Sequence, residues 1–406
     1  MSLVAPPLAL YVHLPWCVRK CPYCDFNSHA VPAAGLPEAA YVSALLADLE
    51  FAASGLQGRE LVSVFFGGGT PSLFAAESVG RVLRHSASLF RVAADLEVTL
   101  EANPGTVERG RFADYREAGV NRVSLGAQSF DDAQLAALGR IHAARETVAA
   151  VEELAAAGLD NFNLDLMYAL PRQTVEGAVA DLEQAIALGP AHLSHYQLTL
   201  EPGTVFERRP PPLPSDDSAH AMQVACQARL AEAGYRQYEV SAYARTGREC
   251  RHNLNYWLFG DYLGIGAGAH GKITDAASGT VRRTARLRQP GRYQSAPAAA
   301  ARVDETRVLS SNDLAFEFML NALRLVDGFE ETLFESRTGL GWAAVAAPVA
   351  AAASRGLLEP GQGGRWRPTP LGRLFLNDLQ SVFLPNPAGM AERTRSTGLA
   401  DPVRFG

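Results

Sequence analysis

Residues 8–24 read LALYVHLPWCVRKCPYC, and most of the architecture can be worked out from them. Leu8–Leu14 is a short apolar run rich in β-formers, which reads as a buried strand. Cys17, Cys21 and Cys24 follow at once in a C-x3-C-x2-C pattern, on the loop that leaves that strand. Three thiolates so spaced can ligate three corners of one small cluster. Structural zinc takes four protein ligands, and His29 is the nearest candidate for the fourth. A [4Fe–4S] cluster held by three thiolates leaves one iron open to another ligand.

Working outward, strand-like and helix-like segments alternate to about residue 240. The strands are Leu8–Leu14, Leu61–Phe66, Leu96–Glu101, Arg122–Leu125, Phe162–Met167 and His192–Leu198. Between them helical spacing appears over Pro37–Ala53, Val79–Leu89, Phe112–Glu117, Asp131–Leu138, Ala143–Ala157 and Val175–Leu188. Six β-α steps predict a parallel sheet with crossover helices, two short of a closed (β/α)8 barrel. The expectation is therefore an α/β fold: a partial (β/α)6 barrel over residues 1–240, with an open doubly wound sheet as the alternative. A stiff proline segment, RRPPPLPSDD at Arg208–Asp217, reads as a connector or a lid. An extension over 241–300 and a small, mostly helical C-terminal domain over 301–406 complete the chain.

Composition narrows the function classes. Lys and Arg number 37 against 43 Asp and Glu, a net charge of −6, so nucleic acid is not an expected partner. No run reaches the ~18 apolar residues of a membrane span, and Pro348 interrupts the Ala343–Ala353 tract. The first ten residues lack a signal peptide's basic flank and cleavage site, so a cytoplasmic protein is expected. Three of the five cysteines fall within eight residues, which suits a metal rather than a disulfide framework.

Polar residues interrupt apolar runs at successive strand ends. FFGGGTP at Phe65–Pro71 closes the second strand with glycines that let a ligand approach main chain. Glu101 in TLEANP, Gln128 in SLGAQSF and Asp165 in NLDLMYALP end the next ones, each costly to bury without a partner. Arg140 in LGRIH is a candidate cation for a carboxylate.

Taken together, YVHLPWCVRKCPYCDFNSH, FFGGGTPS, TLEANPGT, NRVSLGAQSF and LDLMYALPRQT resemble the radical S-adenosylmethionine (SAM) proteins. The likeness covers roughly residues 8–275 and points to the branch that holds oxygen-independent coproporphyrinogen III oxidase and the HemW haem chaperones. It implies a [4Fe–4S] cluster on Cys17, Cys21 and Cys24, with SAM on its open iron. By the same resemblance Tyr11, Gly68, Gly69, Thr70, Glu101, Gln128, Arg140 and Asp165 match SAM-contacting positions. The oxidase carries a further cysteine two residues after its third ligand, where this chain has Phe26. The H-N-x-x-Y-W motif at His252–Trp257 is similar to that of the HemW-type proteins.

This implies haem as cargo, delivery to respiratory haem proteins (some at the membrane surface) and a cluster-dependent homodimer. Oxidative decarboxylation of coproporphyrinogen III is the competing expectation. His252, flanked by Tyr256 and Trp257, is the first candidate haem ligand. Cys250 is a weaker one, His270 in GAGAHG reads instead as a residue lining the SAM pocket, and Cys226 reads as core. RRTARLRQPGR, from Arg282 to Arg292, is either a receiver of propionates or acidic surface, or a solvated basic loop.

Overall fold

The structure is a computed structural model and describes residues 3–106 and 111–384. Six strands, β1 Leu8–Leu14, β2 Glu60–Gly68, β3 Arg91–Ala102, β4 Arg122–Gln128, β5 Phe162–Tyr168 and β6 His192–Gln197, lie side by side in chain order, all parallel. Helices fill each crossover, as a parallel sheet requires. The expected partial barrel is present, buried on both faces: β1 shows one half-exposed residue and β4 none.

A seventh strand, β7 Asp261–Ile265, adds parallel to the outer edge of β1, with Tyr11 opposite Gly264. Three antiparallel strands, β8 His270–Asp275, β9 Thr280–Arg286 and β10 Val303–Val308, prolong the sheet beyond it. Two short strands, Arg236–Gln237 and Ala242–Ala244, finish the opposite end, giving twelve strands among the described residues. The sheet thus runs past residue 300 to Val308, beyond the boundary read from sequence.

Two buried carboxylates pin this extension. Asp48, on helix Glu38–Ala53, takes Arg286 Nε at 2.9 Å and Tyr293 OH at 2.8 Å. Asp261 takes Lys272 Nζ at 3.1 Å and Thr274 Oγ1 at 2.8 Å. The basic run is accordingly not a solvated loop throughout: Arg282, Arg283 and Arg286 lie on β9, and Arg283 pairs with Glu317 at 2.6 Å. Each of those two pairs reaches a partner far along the chain, which is why the run read as a loop.

The RRPPPLPSDD segment begins in a short helix, Val205–Arg208, and passes into helix Asp216–Glu232, capped by Ser215. Phe206 packs with Leu138, Met167, Leu170 and Leu198 over the barrel mouth, and its N–H donates to Pro22 O at 3.0 Å. After β10 a second core forms around Phe318, whose ring meets Phe259, Phe329 and Phe334 edge-on. Helices Ser311–Ala322, Glu331–Thr338 and Ala343–Ser354 and a three-stranded sheet build it. The last 22 positions of the C-terminal domain expected from sequence lie outside the described residues. No helix is long and apolar enough to cross a membrane, among the described residues.

Candidate functional site

The strand ends converge where the cysteine loop crosses the barrel mouth. Cys17 sits in a two-residue strand, Trp16–Cys17, beside His29–Ala30, while Cys24 Sγ lies 3.6 Å from Ser28 Oγ. All three cysteines are half-buried. Burial raises the pKa of Cys17 and Cys24, and the charges of the neighbouring thiols add to it; the hydroxyls of Thr70 and Ser28 offset part. Ionising these thiols is costly until a cation arrives, so metal loading would release protons.

The glycine segment meets this loop from below. Gly68 has φ +115°, and a Cβ there would stand 2.5 Å from the His13 ring. A Cβ on Gly69 would stand 2.5 Å from Trp16 O. The amides are already engaged: Gly68 N donates to Glu101 Oε2 (3.1 Å), Gly69 N to Leu14 O (2.8 Å) and Thr70 N to Trp16 O (2.8 Å). The glycines are therefore required first by close packing against β1. Tyr11 OH bonds His13 Nδ1 at 3.1 Å, and His13 Nε2 bonds Asn27 O at 3.0 Å. Burial lowers the His13 pKa to about 4, so a neutral ring with its proton on Nε2 satisfies both contacts.

Arg140 crosses from the β4 loop. Its Nη2 donates to Asn103 Oδ1 (2.5 Å) and Gly126 O (2.8 Å), and Nη1 approaches Cys21 Sγ at 3.6 Å. Its Nε–H is buried and has no partner among the described residues. Asn103 Nδ2 donates to Thr70 Oγ1 at 2.8 Å, so one amide joins Arg140 to the glycine segment. Sequence reading passed over Asn103; it stands two positions after Glu101, and that strand alternation was the available signal. Cys21, Thr70, Asn103 and Arg140 line one cleft, with Val18 and Ile141 at its lips.

The carboxylates lie deeper. Glu101 is pushed up to about 8 by burial and by the charge of Asp165, with the Gly68 amide opposing. Asp165 is raised by burial, offset by hydrogen bonds from Asn163, Ser194 and Ser124. Gln128, at φ +69°, accepts from Tyr196 OH at 2.9 Å. Contacts thus join Cys21, Arg140, Asn103 and Thr70 in one set and Gly68, Glu101 and Asp165 in another, with Gly69 packed on Trp16, Tyr11 on His13 and Gln128 on Tyr196.

His252, the first candidate haem ligand, is enclosed within the fold. It lies beneath the mouth on helix Arg251–Trp257, 2% exposed, with its ring stacked 5.0 Å from that of Phe65. Ser63 Oγ meets its Nδ1 at 2.9 Å and Tyr256 OH its Nε2 at 3.1 Å. Both ring nitrogens are occupied and burial lowers its pKa to about 3, so no lone pair is open to an iron. Glu97 caps the same helix, accepting from the Arg251 and His252 amides and from Cys250 Sγ. Asn255 Nδ2 donates to Asp261 O, so the H-N-x-x-Y-W segment closes the barrel floor. Cys250 and Cys226 are fully buried, and burial holds both thiols up at about 12.

Do these residues fit a cluster and SAM? The cysteine loop brings three half-buried thiols to one segment, with His29 the nearest nitrogen donor. The unpartnered Arg140 Nε–H beside Cys21 suits a carboxylate, and Glu101 opposite suits an ammonium. The donor chemistry fits both groups. When bound and reduced, such a cluster supplies an electron for reductive chemistry on SAM.

Comparison with known proteins follows the same lines. Residues 11–185 match the Radical SAM superfamily and residues 309–375 the HemN C-terminal domain. The chain is 47% identical over 384 residues to "Heme chaperone HemW" of Escherichia coli (strain K12), covering 93% of this chain and 98% of that one. It belongs to the HemW family. The Haemophilus influenzae protein of the same name is also 47% identical, over 383 residues covering 93% of this chain and 98% of that one. Among solved structures, coproporphyrinogen III oxidase (HemN) from Escherichia coli superimposes with a TM-score of 0.78 at 22% identity, covering 93% of this chain and 90% of that one. At that identity the likeness is one of fold.

Proposed function

We propose that this chain is a haem chaperone: it binds haem as cargo and passes it to respiratory haem proteins, some of them at the membrane surface. The observation that carries this reading is the near full-length identity with proteins named as haem chaperones. Phe26, standing where the oxidase has a further cysteine, supports it. Cys17, Cys21 and Cys24 would hold the [4Fe–4S] cluster. Arg140 would take the carboxylate of SAM and Glu101 its ammonium. Tyr11, Gly68, Gly69, Thr70, Gln128 and Asp165 would complete the cradle. Because the amides of residues 68–70 are used within the fold, SAM would meet carbonyl acceptors there, which suits a donating ammonium. A homodimer supported by the cluster belongs to the same proposal.

The test is anaerobic reconstitution followed by two assays on one sample. The reading expects about one haem per chain and no conversion of coproporphyrinogen III with SAM and reductant present. Protoporphyrinogen formation at many turnovers would replace it with the oxidase.

A further inference from the structure

His252 is enclosed, with both ring nitrogens hydrogen-bonded, and the rim of the mouth offers a second constellation. Past Cys24 the loop turns outward, and Phe26 is 42% exposed. Lys20 Nζ holds that turn by donating to the carbonyls of Phe26 and Ser28 at 2.9 and 3.3 Å. Asn27 then clamps it to the extension, its Nδ2 donating to Ala267 O at 2.8 Å and Arg288 O at 2.9 Å. This clamp gathers groups that are remote in sequence: Phe26 and His29 from the loop, His270 from the start of β8, and Arg288 beyond β9.

Each brings something haem needs. His270 is exposed, and its ring has no hydrogen-bond partner among the described residues. Crowding of the ring and the charges of Arg283 and Arg288 lower its proton affinity, which keeps the imidazole neutral as an iron ligand must be. The charge of Arg288 also lowers the proton affinity of His29, after burial and Lys20. Arg288 and Arg292 are exposed and form no ion pair among the described residues, unlike Arg283 and Arg286 of the same run. Exposed guanidiniums next to a neutral imidazole and a flat apolar ring match the carboxylates, iron and macrocycle of haem.

We propose that this rim is the haem-docking surface, with His270 as the axial ligand, Phe26 against the macrocycle and Arg288 on a propionate. The assignment rests on the haem-chaperone reading and names the place where the cargo sits. It also puts the cargo on the loop that bears the cluster cysteines.

The test is a ferric haem titration of the full chain, followed by Soret absorbance and by electron paramagnetic resonance for the ligand set. Five variants are compared with the wild type: His270→Ala, Arg288→Glu, Phe26→Ala, His29→Ala, and His220→Ala as an exposed histidine on another helix. His270→Ala should weaken binding tenfold or more and change the spin state. Arg288→Glu should weaken it severalfold and reverse the effect of added salt. Phe26→Ala should weaken it severalfold with the ligand signature intact, and His220→Ala should behave as wild type. The assignment is overturned if His270→Ala and Arg288→Glu both bind within twofold of wild type with unchanged spectra. It is equally overturned if His29→Ala removes the ligand signature while His270→Ala leaves it. A wild-type chain that takes up no haem is a different result, for it removes the chaperone reading itself.

Discussion

Replacing Glu101 by Gln should make the ligand-free protein more stable, and increasingly so as pH rises. In the fold Glu101 holds its proton to about pH 8, because burial and Asp165 both oppose a second negative charge there. In an unfolded chain it ionises near its ordinary value of 4.5. Between those two values the unfolded state has lost the proton and the folded state keeps it, so stability falls as pH rises through the window. The window spans about 3.5 in pH, which at ~1.4 kcal/mol per unit sets a ceiling of about 5 kcal/mol. Glu101 is only half-buried and water reaches the mouth, so a gain of ~2 kcal/mol for Glu101→Gln by pH 8 is the expectation. Gln keeps an oxygen for the Gly68 amide, so the substitution removes the charge and little else. Urea unfolding of both proteins at pH 5.5, 6.5, 7.5 and 8.5, by fluorescence and circular dichroism together, reads the difference. A gap that stays constant or narrows with pH would refute the argument that Glu101 is held protonated.

Other outcomes follow from the same geometry. Ala at Cys17, Cys21 or Cys24 should abolish iron and sulfide incorporation on anaerobic reconstitution while the unfolding midpoint stays near wild type, since all three thiols are half-exposed; chemical iron analysis checks it. Asn103→Ala should weaken SAM binding about five- to thirtyfold, the worth of one or two hydrogen bonds near 1 kcal/mol each, because Arg140 and Thr70 lose their shared partner; calorimetric titration reads it. Arg286→Met leaves Asp48 buried and unpaired, and should cost about 3–5 kcal/mol in denaturant unfolding.

The barrel and its mouth were legible in sequence because each strand is a nearly continuous apolar run followed by a helical period, and because the polar interruptions stand at strand ends. The extension was not. Strand β9 reads TVRRTAR, with no apolar alternation, since Arg283 and Arg286 face Glu317 and Asp48 rather than water, while Arg282 is exposed. His252 misled for a related reason. Aromatic neighbours in sequence suggest a haem slot, whereas Ser63, the residue that occupies its Nδ1, comes from β2 and is invisible to local reading. Asn103 was missed because its partners, Thr70 and Arg140, lie in two other loops.

The position of β1 has a consequence for biosynthesis. Its outer edge is covered by β7, which leaves the ribosome roughly 250 residues later. At ~5–20 residues per second, the nascent barrel exposes an unpaired apolar edge for about 12–50 s, with the cysteine loop unclamped beside it. Iron insertion on a finished loop must therefore wait until residue 288 has emerged, and a fragment stopping before residue 261 should expose that edge permanently and self-associate.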